Sequence, residues 1–181
     1  MKFLIASDIH GSYTYCKALI EAYKRENADR LLLLGDILYH GPRNDLPEGY
    51  APKEVIALLN EYKNEILCVR GNCDTEVDQM VLSFPILADY AVIPTESAII
   101  YATHGHNYNS DKLPPLKAGD ILLHGHTHVP CVKEYETHTY INPGSVSIPK
   151  EESPHSYILF DGKTFVFKDL DSKPYMEYSL K

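Results

Sequence analysis

The chain lacks a long apolar leader and lacks an excess of basic residues, and each absence excludes a class of function. No N-terminal apolar segment has the length of a signal peptide or a membrane span. We therefore expect a cytoplasmic protein with no membrane partner. The formal net charge is −8, whereas proteins that bind long nucleic acids usually display a basic surface. A small phosphate ester is a more natural partner than a long nucleic acid.

The four cysteines lack the spacing of a structural metal site. Cys16, Cys68, Cys73 and Cys131 form no C-x-x-C pair, so neither a zinc site nor a disulfide framework is expected. The chain also lacks internal repeats, low-complexity tracts and linkers. Its 181 residues, 44% apolar and 23% charged, predict one globular domain over residues 1–181.

Helical and strand-like patterns divide the chain into two halves. Apolar residues at i, i+3, i+4 and i+7 predict a helix capped by Ser12, and a second helix is predicted to begin at Pro52. A shorter helix is expected after Asp74. The second half is richer in strands, with a hairpin predicted at Asp161-Gly162. Two stacked sheets flanked by helices are therefore expected.

Five short polar motifs each follow an apolar, strand-like run. In chain order they are Ser7-Asp8-Ile9-His10-Gly11, Gly35-Asp36, Gly71-Asn72-Cys73-Asp74, Thr103-His104-Gly105-His106 and Gly125-His126-Thr127-His128. Strands that end in Asp, Asn or His bring these side chains to one edge of a sheet. Because imidazole and carboxylate together suit borderline divalent metals, the pattern predicts a metal-dependent hydrolase.

The ordered set D-x-H, G-D, G-N-x-D, H-G-H and G-H-T-H resembles the calcineurin-like metallophosphoesterase superfamily. Segments 36–52, 70–80 and 142–150 further resemble the small bacterial phosphodiesterases of the YfcE type. The resemblance implies an α/β (α+β) fold, a four-layer αββα sandwich of two stacked mixed β-sheets flanked by helices. It also implies a metal-dependent phosphoric diester hydrolase.

The resemblance further implies ligands for two divalent ions. The first ion is expected on Asp8, His10 and His128, the second on Asn72, His104 and His126, with Asp36 bridging both. Taken alone, each Asp is more often a helix cap or turn residue, and an isolated His pair more often lies on a wet strand. Their joint occurrence favours ligation. Mixed N and O ligands fit manganese, iron, zinc or nickel, and the YfcE resemblance favours Mn²⁺.

Formal charges fit a phosphodiester. Two divalent ions supply +4, Asp8 and Asp36 together −2 and a bridging hydroxide −1, which leaves about +1 opposite a diester of charge −1. We expect this hydroxide to attack phosphorus directly, without a covalent phospho-enzyme. Asp36 and Asn72 are expected to act in catalysis as well as in binding the ions.

Cys73 departs from the wider superfamily, in which many relatives have His at this position. That His can protonate the departing alkoxide, whereas a thiol is a weaker donor to oxygen. The YfcE-type relatives share the Cys, so we expect a preference for good leaving groups or acid assistance from another residue, with His106 as a candidate. The alternative, that Cys73 is a small buried filler, stays open.

The expected substrate contacts lie in the long loop after Asp36 and before Gly71. They are Arg43, Asn44, Tyr50 and Arg70: Arg can hold phosphate bidentately, and Tyr can pack on an alcohol or base. Surface ion pairs are the alternative for the arginines, above all for Arg70. The turn at 142–145, Asn-Pro-Gly-Ser, resembles that of the family and is expected to support the site from behind it.

The sequence is compatible with three functions. They are a phosphodiesterase acting on a small diester, a phosphomonoesterase of the same fold, and a catalytically silent scaffold like the retromer subunit of this superfamily. A site that has lost catalysis should also have lost metal ligands, whereas all seven expected ligands are present. The scarcity of cations beyond Arg43 and Arg70 favours a diester over a monoester. The 14 tyrosines and apolar C-terminal strands leave room for a homo-oligomer, but core packing explains them equally well.

Overall fold

The computed structural model describes residues 1–181 and contains two β-sheets and three α-helices. In chain order the elements are β1 (Phe3–Ala6), α1 (Tyr13–Glu26), β2 (Arg30–Leu33), α2 (Pro52–Glu61), β3 (Ile66–Cys68), α3 (Glu76–Val81), β4 (Ala91–Pro94), β5 (Ile99–Thr103), β6 (Ile121–His124), β7 (Cys131–Glu134), β8 (Thr139–Asn142), β9 (Ser156–Phe160), β10 (Thr164–Asp169) and β11 (Pro174–Ser179).

Both sheets are mixed. The first has the order β11-β10-β9-β1-β2-β3, in which β1, β2 and β3 are parallel and the last three strands of the chain run antiparallel. The second has the order β4-β5-β6-β8-β7, with β5, β6 and β8 parallel. Each sheet therefore has a set of parallel strands whose carboxyl ends lie along one edge.

The alternation of side chains in β1 explains the stacking of the layers. Leu4 and Ala6 are buried in one apolar cluster with residues of α1 and α2, whereas Phe3 and Ile5 are buried in a second cluster with residues of the second sheet. The first sheet is thus covered on both faces. Burying one such side chain stabilises the fold by roughly 1.5–3 kcal/mol.

The local signals at the helix termini are confirmed. Ser12 accepts the Tyr15 N–H at 3.3 Å and caps α1, and Pro52 occupies the start of α2. The short helix expected after Asp74 is α3, and its cap is Thr75. The hairpin joins β9 to β10 around Gly162.

The expected fold class, two stacked mixed sheets with helices, is confirmed. The three helices all lie within residues 1–81, and residues 82–181 contain no helix. In the long connection from β5 to β6, Pro114 and Pro115 remove two N–H donors, and proline disfavours helix. No helix has the length and apolar character to cross a membrane.

Candidate metal centre

The seven expected ligands follow the carboxyl ends of five strands. Three of these strands, β1, β2 and β3, are parallel neighbours in the first sheet, and β5 and β6 are parallel neighbours in the second. The two ligand-bearing edges face each other where the sheets stack. The residues so brought together are Asp8, His10, Asp36, Asn72, His104, His126 and His128.

Five of these seven residues have a left-handed backbone. Their φ values are 60° at Asp8, 50° at His10, 58° at Asp36, 68° at His126 and 63° at His128. Non-glycine residues rarely adopt such angles, and observed outliers cluster at functional sites. As a result, each strand ends abruptly, and the polar side chain that follows it turns into the space between the sheets.

Asp74 holds the ends of β2 and β3 together. Its buried carboxylate accepts the N–H groups of Asp36 at 2.8 Å, Ile37 at 2.9 Å and Gly71 at 2.7 Å. A Cβ at Gly71 would collide with Asp36, so only glycine permits this close approach. Burial raises the pKa of Asp74, the backbone donors act against this rise, and the nearby charge of Asp36 adds to it.

The Asn-Pro-Gly-Ser turn contacts the backbone behind two ligand loops. Ser145 and Ser147 both donate through Oγ to the carbonyl of Asp8, at 2.9 and 3.0 Å. Asn142 Nδ2 donates to the carbonyl of Gly125 at 2.9 Å and to Thr127 Oγ1 at 3.0 Å. The turn therefore fixes the backbone on which Asp8, His126 and His128 are carried.

The first group of donor atoms is arranged for a cation. His10 Nδ1 lies 2.7 Å from the Tyr39 carbonyl and His128 Nδ1 lies 2.6 Å from the Ile148 carbonyl, so both must donate there and both Nε2 atoms carry lone pairs. These Nε2 atoms are 3.3 Å apart, and Asp8 Oδ1 lies 3.5 and 3.2 Å from them. Asp8 Oδ1 is buried without a hydrogen bond. Facing lone pairs repel one another unless a cation lies between them.

The second group repeats this arrangement. His104 Nδ1 donates to the Leu34 carbonyl at 2.7 Å, so Nε2 is the atom that can bind an ion once its proton is lost, and it lies 3.1 Å from Asn72 Oδ1 and 3.1 Å from His126 Nδ1. Asn72 Nδ2 donates to Cys73 Sγ at 3.2 Å, so the amide oxygen faces His104. With His104 neutral, this group again offers nitrogen and oxygen lone pairs to a cation.

Asp36 lies between the two groups. Its Oδ2 is 3.7 Å from His10 Nε2 and 3.4 Å from His104 Nε2, while its Oδ1 accepts the Cys73 N–H at 2.8 Å. One oxygen thus reaches both groups and the other is held by the backbone. The residues present fit two divalent ions that share Asp36.

The electrostatics of the site also favour a cation. Burial acts to raise the pKa of Asp8, but the nearby imidazoles of His10 and His128 outweigh it and hold the pKa well below its usual range. Burial acts to lower the pKa of His104, yet the carboxylates of Asp36 and Asp8 raise it to about 9. In the absence of an ion, a proton on His104 supplies the positive charge that the carboxylates demand.

The Cys73 side chain faces the same space. Its Sγ lies within ligand range of the donor atoms of His10 and Asp36, and it lines the cavity above them. Burial and the negative charge of Asp36 raise the pKa of this thiol to about 12. Cys73 is therefore an uncharged thiol near neutral pH and a weak acid.

An open cavity of about 460 Å³ lies over the centre. Among the expected substrate contacts, Arg43 and Asn44 line it, and Tyr50 and Arg70 do not. Tyr50 instead packs at 5.4 Å from the ring of His40 and lines a separate small groove. Arg70 lies 3.4 Å from Glu76 in a partly exposed ion pair and donates to the Asp74 carbonyl.

His106, the candidate acid, lies beside the second group and does not line this cavity. Its ring centre is 5.4 Å from that of His104, and its buried Nδ1 has no partner. Burial and the neighbouring His104 lower its pKa, so the ring is neutral near pH 7. A neutral imidazole is poorly suited to protonate a leaving group.

Lys150 and Thr127 also line the cavity, and neither was singled out from the sequence. Lys150 donates its backbone N–H to the carbonyl of His128 at 3.2 Å. No local signal could have indicated this contact, because the two residues lie on separate loops. Asp74 was missed for a related reason, since its partners are backbone groups that carry no sequence signature.

Comparison with known proteins identifies the family. Residues 1–164 match the model of the calcineurin-like phosphoesterase superfamily domain. The chain belongs to this family. It is 47% identical over 161 residues to phosphodiesterase YfcE of Escherichia coli K12, and the match covers 89% of this chain and 88% of YfcE.

Solved structures agree with this assignment. The structure of YfcE, a phosphoesterase from E. coli, matches with a TM-score of 0.95 and 43% identity and covers all of both chains. Vacuolar Protein Sorting 29 from Cryptosporidium parvum matches at a TM-score of 0.61 and 21% identity, over 98% of this chain and 97% of that one, and shares the fold. The family, the YfcE-type resemblance and the phosphoesterase class of enzyme expected from the motifs are confirmed.

Proposed function

We propose that this chain is a phosphodiesterase that hydrolyses a small phosphodiester with two divalent ions, by direct attack of a hydroxide held between them. One observation carries the proposal: two groups of lone-pair donors meet at a single oxygen, Asp36 Oδ2, which lies 3.7 and 3.4 Å from the nearest imidazole of each group. When bound, the ions supply the nucleophile near neutral pH and positive charge for the phosphoryl oxygens. The 47% identity to a protein named phosphodiesterase supports a diester as substrate.

The side chains divide the work in this proposal. Asp36 joins the two groups and is itself fixed by the Cys73 N–H, so its geometry is set before substrate arrives. Arg43 and Asn44 line the cavity where the phosphoryl group and its alcohols must lie. Cys73 faces the same cavity as a neutral thiol and assists departure of the alcohol weakly, which suits good leaving groups.

Manganese is the ion that we propose. The two groups offer imidazole nitrogens and carboxylate or amide oxygens, a set that suits Mn²⁺, Fe²⁺, Zn²⁺ and Ni²⁺. The thiol of Cys73 does not replace any of the seven N and O ligands in this scheme. The donor set alone does not separate these ions, and the resemblance to the YfcE-type phosphodiesterases is what favours Mn²⁺.

A silent scaffold is disfavoured by the same geometry. A protein that keeps the fold for partner binding alone has no need of five left-handed backbone positions or of a buried, unpartnered Asp8 Oδ1. Such strain and such an unsatisfied oxygen destabilise the fold unless a ligand repays them. A phosphomonoesterase uses the same centre and is separated from a diesterase by experiment.

The test is an assay of chelator-stripped protein on an aryl phosphodiester and on the matching aryl monoester, with and without added Mn²⁺. We expect Mn²⁺ to restore diester hydrolysis, and we expect Asp36→Ala to abolish it because both ion sites lose their shared ligand. Faster cleavage of the monoester would assign a phosphomonoesterase. Failure to cleave either ester with any divalent ion would overturn the proposed enzyme and favour the scaffold.

A further inference from the structure

Polar and charged residues predominate in the lining of the cavity above the proposed metal centre. Only one of the 11 residues that line its 460 Å³ is hydrophobic. Pockets for apolar ligands are lined mainly by hydrophobic and aromatic side chains. Few apolar side chains are available to an aryl or lipid-like alcohol, so the lining favours hydrophilic substituents on the substrate.

Two cationic side chains line this cavity, Arg43 and Lys150, and neither takes part in an ion pair. They come from different loops, one after β2 and the other after β8. Asp36 is the only acidic residue in the lining, and its oxygens are already directed to the imidazoles and to the Cys73 N–H. The positive charge of the two side chains is thus free to act on a ligand.

The backbone holds Lys150 firmly at the edge of the site. Its N–H donates to the carbonyl of His128, and its carbonyl accepts both the N–H and the Oγ of Ser153, at 3.1 and 2.6 Å. The next two residues, Glu151 and Glu152, have φ values of 54° and 57°, so the turn is strained at two successive non-glycine positions. Observed strain of this kind is a pointer to function.

Arg43 lies on a loop that packs onto the floor of the cavity. Asn44 Nδ2 donates to the His40 carbonyl at 2.7 Å, and a Cβ built on Gly41 would lie 3.3 Å from Cys73 Sγ. The loop is therefore fixed close to the thiol and to Asp36. The planar guanidinium of Arg43 offers the paired donors that suit phosphate or carboxylate oxygens.

The charges exceed what a simple diester needs. Two ions, Asp8, Asp36 and a hydroxide already leave about +1, which matches the single negative charge of a diester. Arg43 and Lys150 add two further positive charges at the open side of the cavity. We propose that the substrate is a phosphodiester that carries a second anionic group, a phosphate or carboxylate, on one hydrophilic alcohol, and that Arg43 and Lys150 bind this group. The inference rests on the proposed phosphodiesterase function.

A matched pair of substrates tests the inference. The 4-nitrophenyl ester of thymidine 5′-phosphate has one negative charge, and the same ester with an added 3′-phosphate has the second anionic group. With Mn²⁺ at constant ionic strength, we expect the 3′-phosphate to raise kcat/KM by about tenfold, mainly through KM, as one charge-assisted contact of about 1.4 kcal/mol would. Equal kcat/KM for the two esters would leave the phosphodiesterase standing and overturn the second-anion proposal.

Variants assign the effect to the two cations. Lys150→Gln and Arg43→Gln should each reduce the advantage of the 3′-phosphate at least about threefold, and the double variant should remove it, because each loses one cation. Lys163→Gln is the matched control, since Lys163 lies in the β9–β10 hairpin at the opposite end of the first sheet. Persistence of the advantage in the double variant would overturn the assignment.

Binding without turnover keeps the proposal testable if neither ester is cleaved. Calorimetric titration of the Mn²⁺-loaded protein with thymidine 3′,5′-bisphosphate and with thymidine 5′-monophosphate compares two ligands that likewise differ only in the 3′-phosphate. If the native protein binds the bisphosphate more tightly and the double variant Lys150→Gln/Arg43→Gln does not, the inference is supported. Equal affinities contradict it, whatever the outcome of the hydrolysis assay.

Discussion

The carboxylate of Asp74 holds the backbone N–H of Asp36 at 2.8 Å, although 38 positions separate them in the chain. The same carboxylate binds Gly71, so one buried side chain sets the distance between two strand ends that carry proposed ligands. This relationship gives the acidic fourth residue of the Gly-Asn-Cys-Asp motif a structural role that does not depend on the side chain at position 73.

Replacement of Asp74 by Asn should damage both stability and the metal centre. The amide would keep one acceptor oxygen but place an NH₂ group against backbone donors, which leaves a buried N–H unpaired. We expect the free energy of unfolding to fall by about 1–3 kcal/mol. Mn²⁺ affinity should fall as well, because Asp36 loses its support. Denaturant unfolding and calorimetric Mn²⁺ titration measure the two effects.

The control for this variant is Asp111→Asn. This substitution removes the same formal charge as Asp74→Asn. Asp111 is exposed, and its carboxylate makes no hydrogen bond or ion pair in the structure. It should leave both measurements within about 0.5 kcal/mol of the native protein. An Asp74→Asn protein with native stability and native Mn²⁺ affinity would contradict the role that we assign to Asp74.

The ligand residues could be predicted from the sequence because their signals are local. Each lies within five residues of a strand-like apolar run, and strands end at the same edge when they are parallel. The left-handed backbone of Asp8 and its neighbours could not be predicted, since it depends on contacts such as that of Ser145 with the Asp8 carbonyl, made across 137 positions.

Two basic residues show more clearly what the sequence could not predict. Arg70 and Lys150 look alike in sequence, each a basic residue beside a motif. The structure pairs Arg70 with Glu76, which lies on the first turn of α3, and leaves Lys150 in the cavity because its backbone is bound to His128. The difference arises from tertiary contacts alone.

Loss of single ligands should reveal two ion sites. The native protein should bind about two Mn²⁺ per chain, and His128→Ala and His104→Ala should each bind about one, because each imidazole belongs to a different donor group. Asp36→Asn should weaken both sites. Metal content after gel filtration, together with titration calorimetry, measures this. His138→Ala, at the far end of β8, is the control and should retain both ions.

Binding of Mn²⁺ should release protons. The pKa of His104 is raised from 6.5 to about 9 in the metal-free protein, so its Nε2 is protonated at pH 7.5 and must lose that proton to bind an ion. The observed binding enthalpy at pH 7.5 should therefore vary with the ionisation enthalpy of the buffer. This dependence should shrink as the pH rises through about 9. A buffer-independent enthalpy at pH 7.5 would show that His104 binds no ion.

The pKa of His104 also predicts how the metal-free fold depends on pH. Because the folded pKa lies above the ordinary value of 6.5, this group contributes stability that is fully present below pH 6.5 and is lost as pH rises through about 9. Metal-free protein should therefore have a lower Tm at pH 9.5 than at pH 6.5. In His104→Asn that component should disappear, and a decrease of native size in the variant would assign it to another group.

An ion pair far from the cavity gives an independent test of the fold. Lys168 Nζ and the Tyr157 hydroxyl both donate to Glu26 Oε1, at 2.7 and 2.8 Å, and tie α1 to β9 and β10. Burial acts to raise the pKa of Glu26, but these donors outweigh it and the pKa is lowered. The pair thus stabilises the fold above the ordinary carboxyl pKa of 4.5, and this stability is lost as pH falls through the folded value.

Glu26→Gln should lower the free energy of unfolding by about 1–3 kcal/mol at pH 7. The difference from the native protein should shrink as the pH falls below 4.5 and through the lowered pKa of Glu26, and activity should be unchanged because the pair lies outside the cavity. Urea unfolding of both proteins at pH 7 and at pH values below 4.5 measures this difference in the free energy of unfolding. Glu136→Gln, an exposed carboxylate with no hydrogen bond or ion pair, is the control.

Cys73→His should alter the selectivity for leaving groups. The thiol, with a pKa of about 12, is a poor proton donor, whereas an imidazole in its place has an ordinary pKa of about 6.5 and can protonate a departing alkoxide. We therefore expect a small change for 4-nitrophenyl diesters and a gain of about tenfold or more for alkyl diesters, within the usual range of general acid catalysis. The slope of log kcat/KM against leaving-group pKa is the measurement, and it should become shallower in the variant.

Cys73→Ser separates chemistry from packing in this prediction. Serine is smaller and no better an acid, so if Cys73 acts only as a buried filler, Cys73→Ser and Cys73→His should change all substrates by equal factors. The Cys73 N–H that binds Asp36 is a backbone group and is kept in both variants, so their Mn²⁺ affinity should stay near that of the native protein. Parallel leaving-group plots for all three proteins would exclude proton transfer at this position and would direct the search for the acid to solvent.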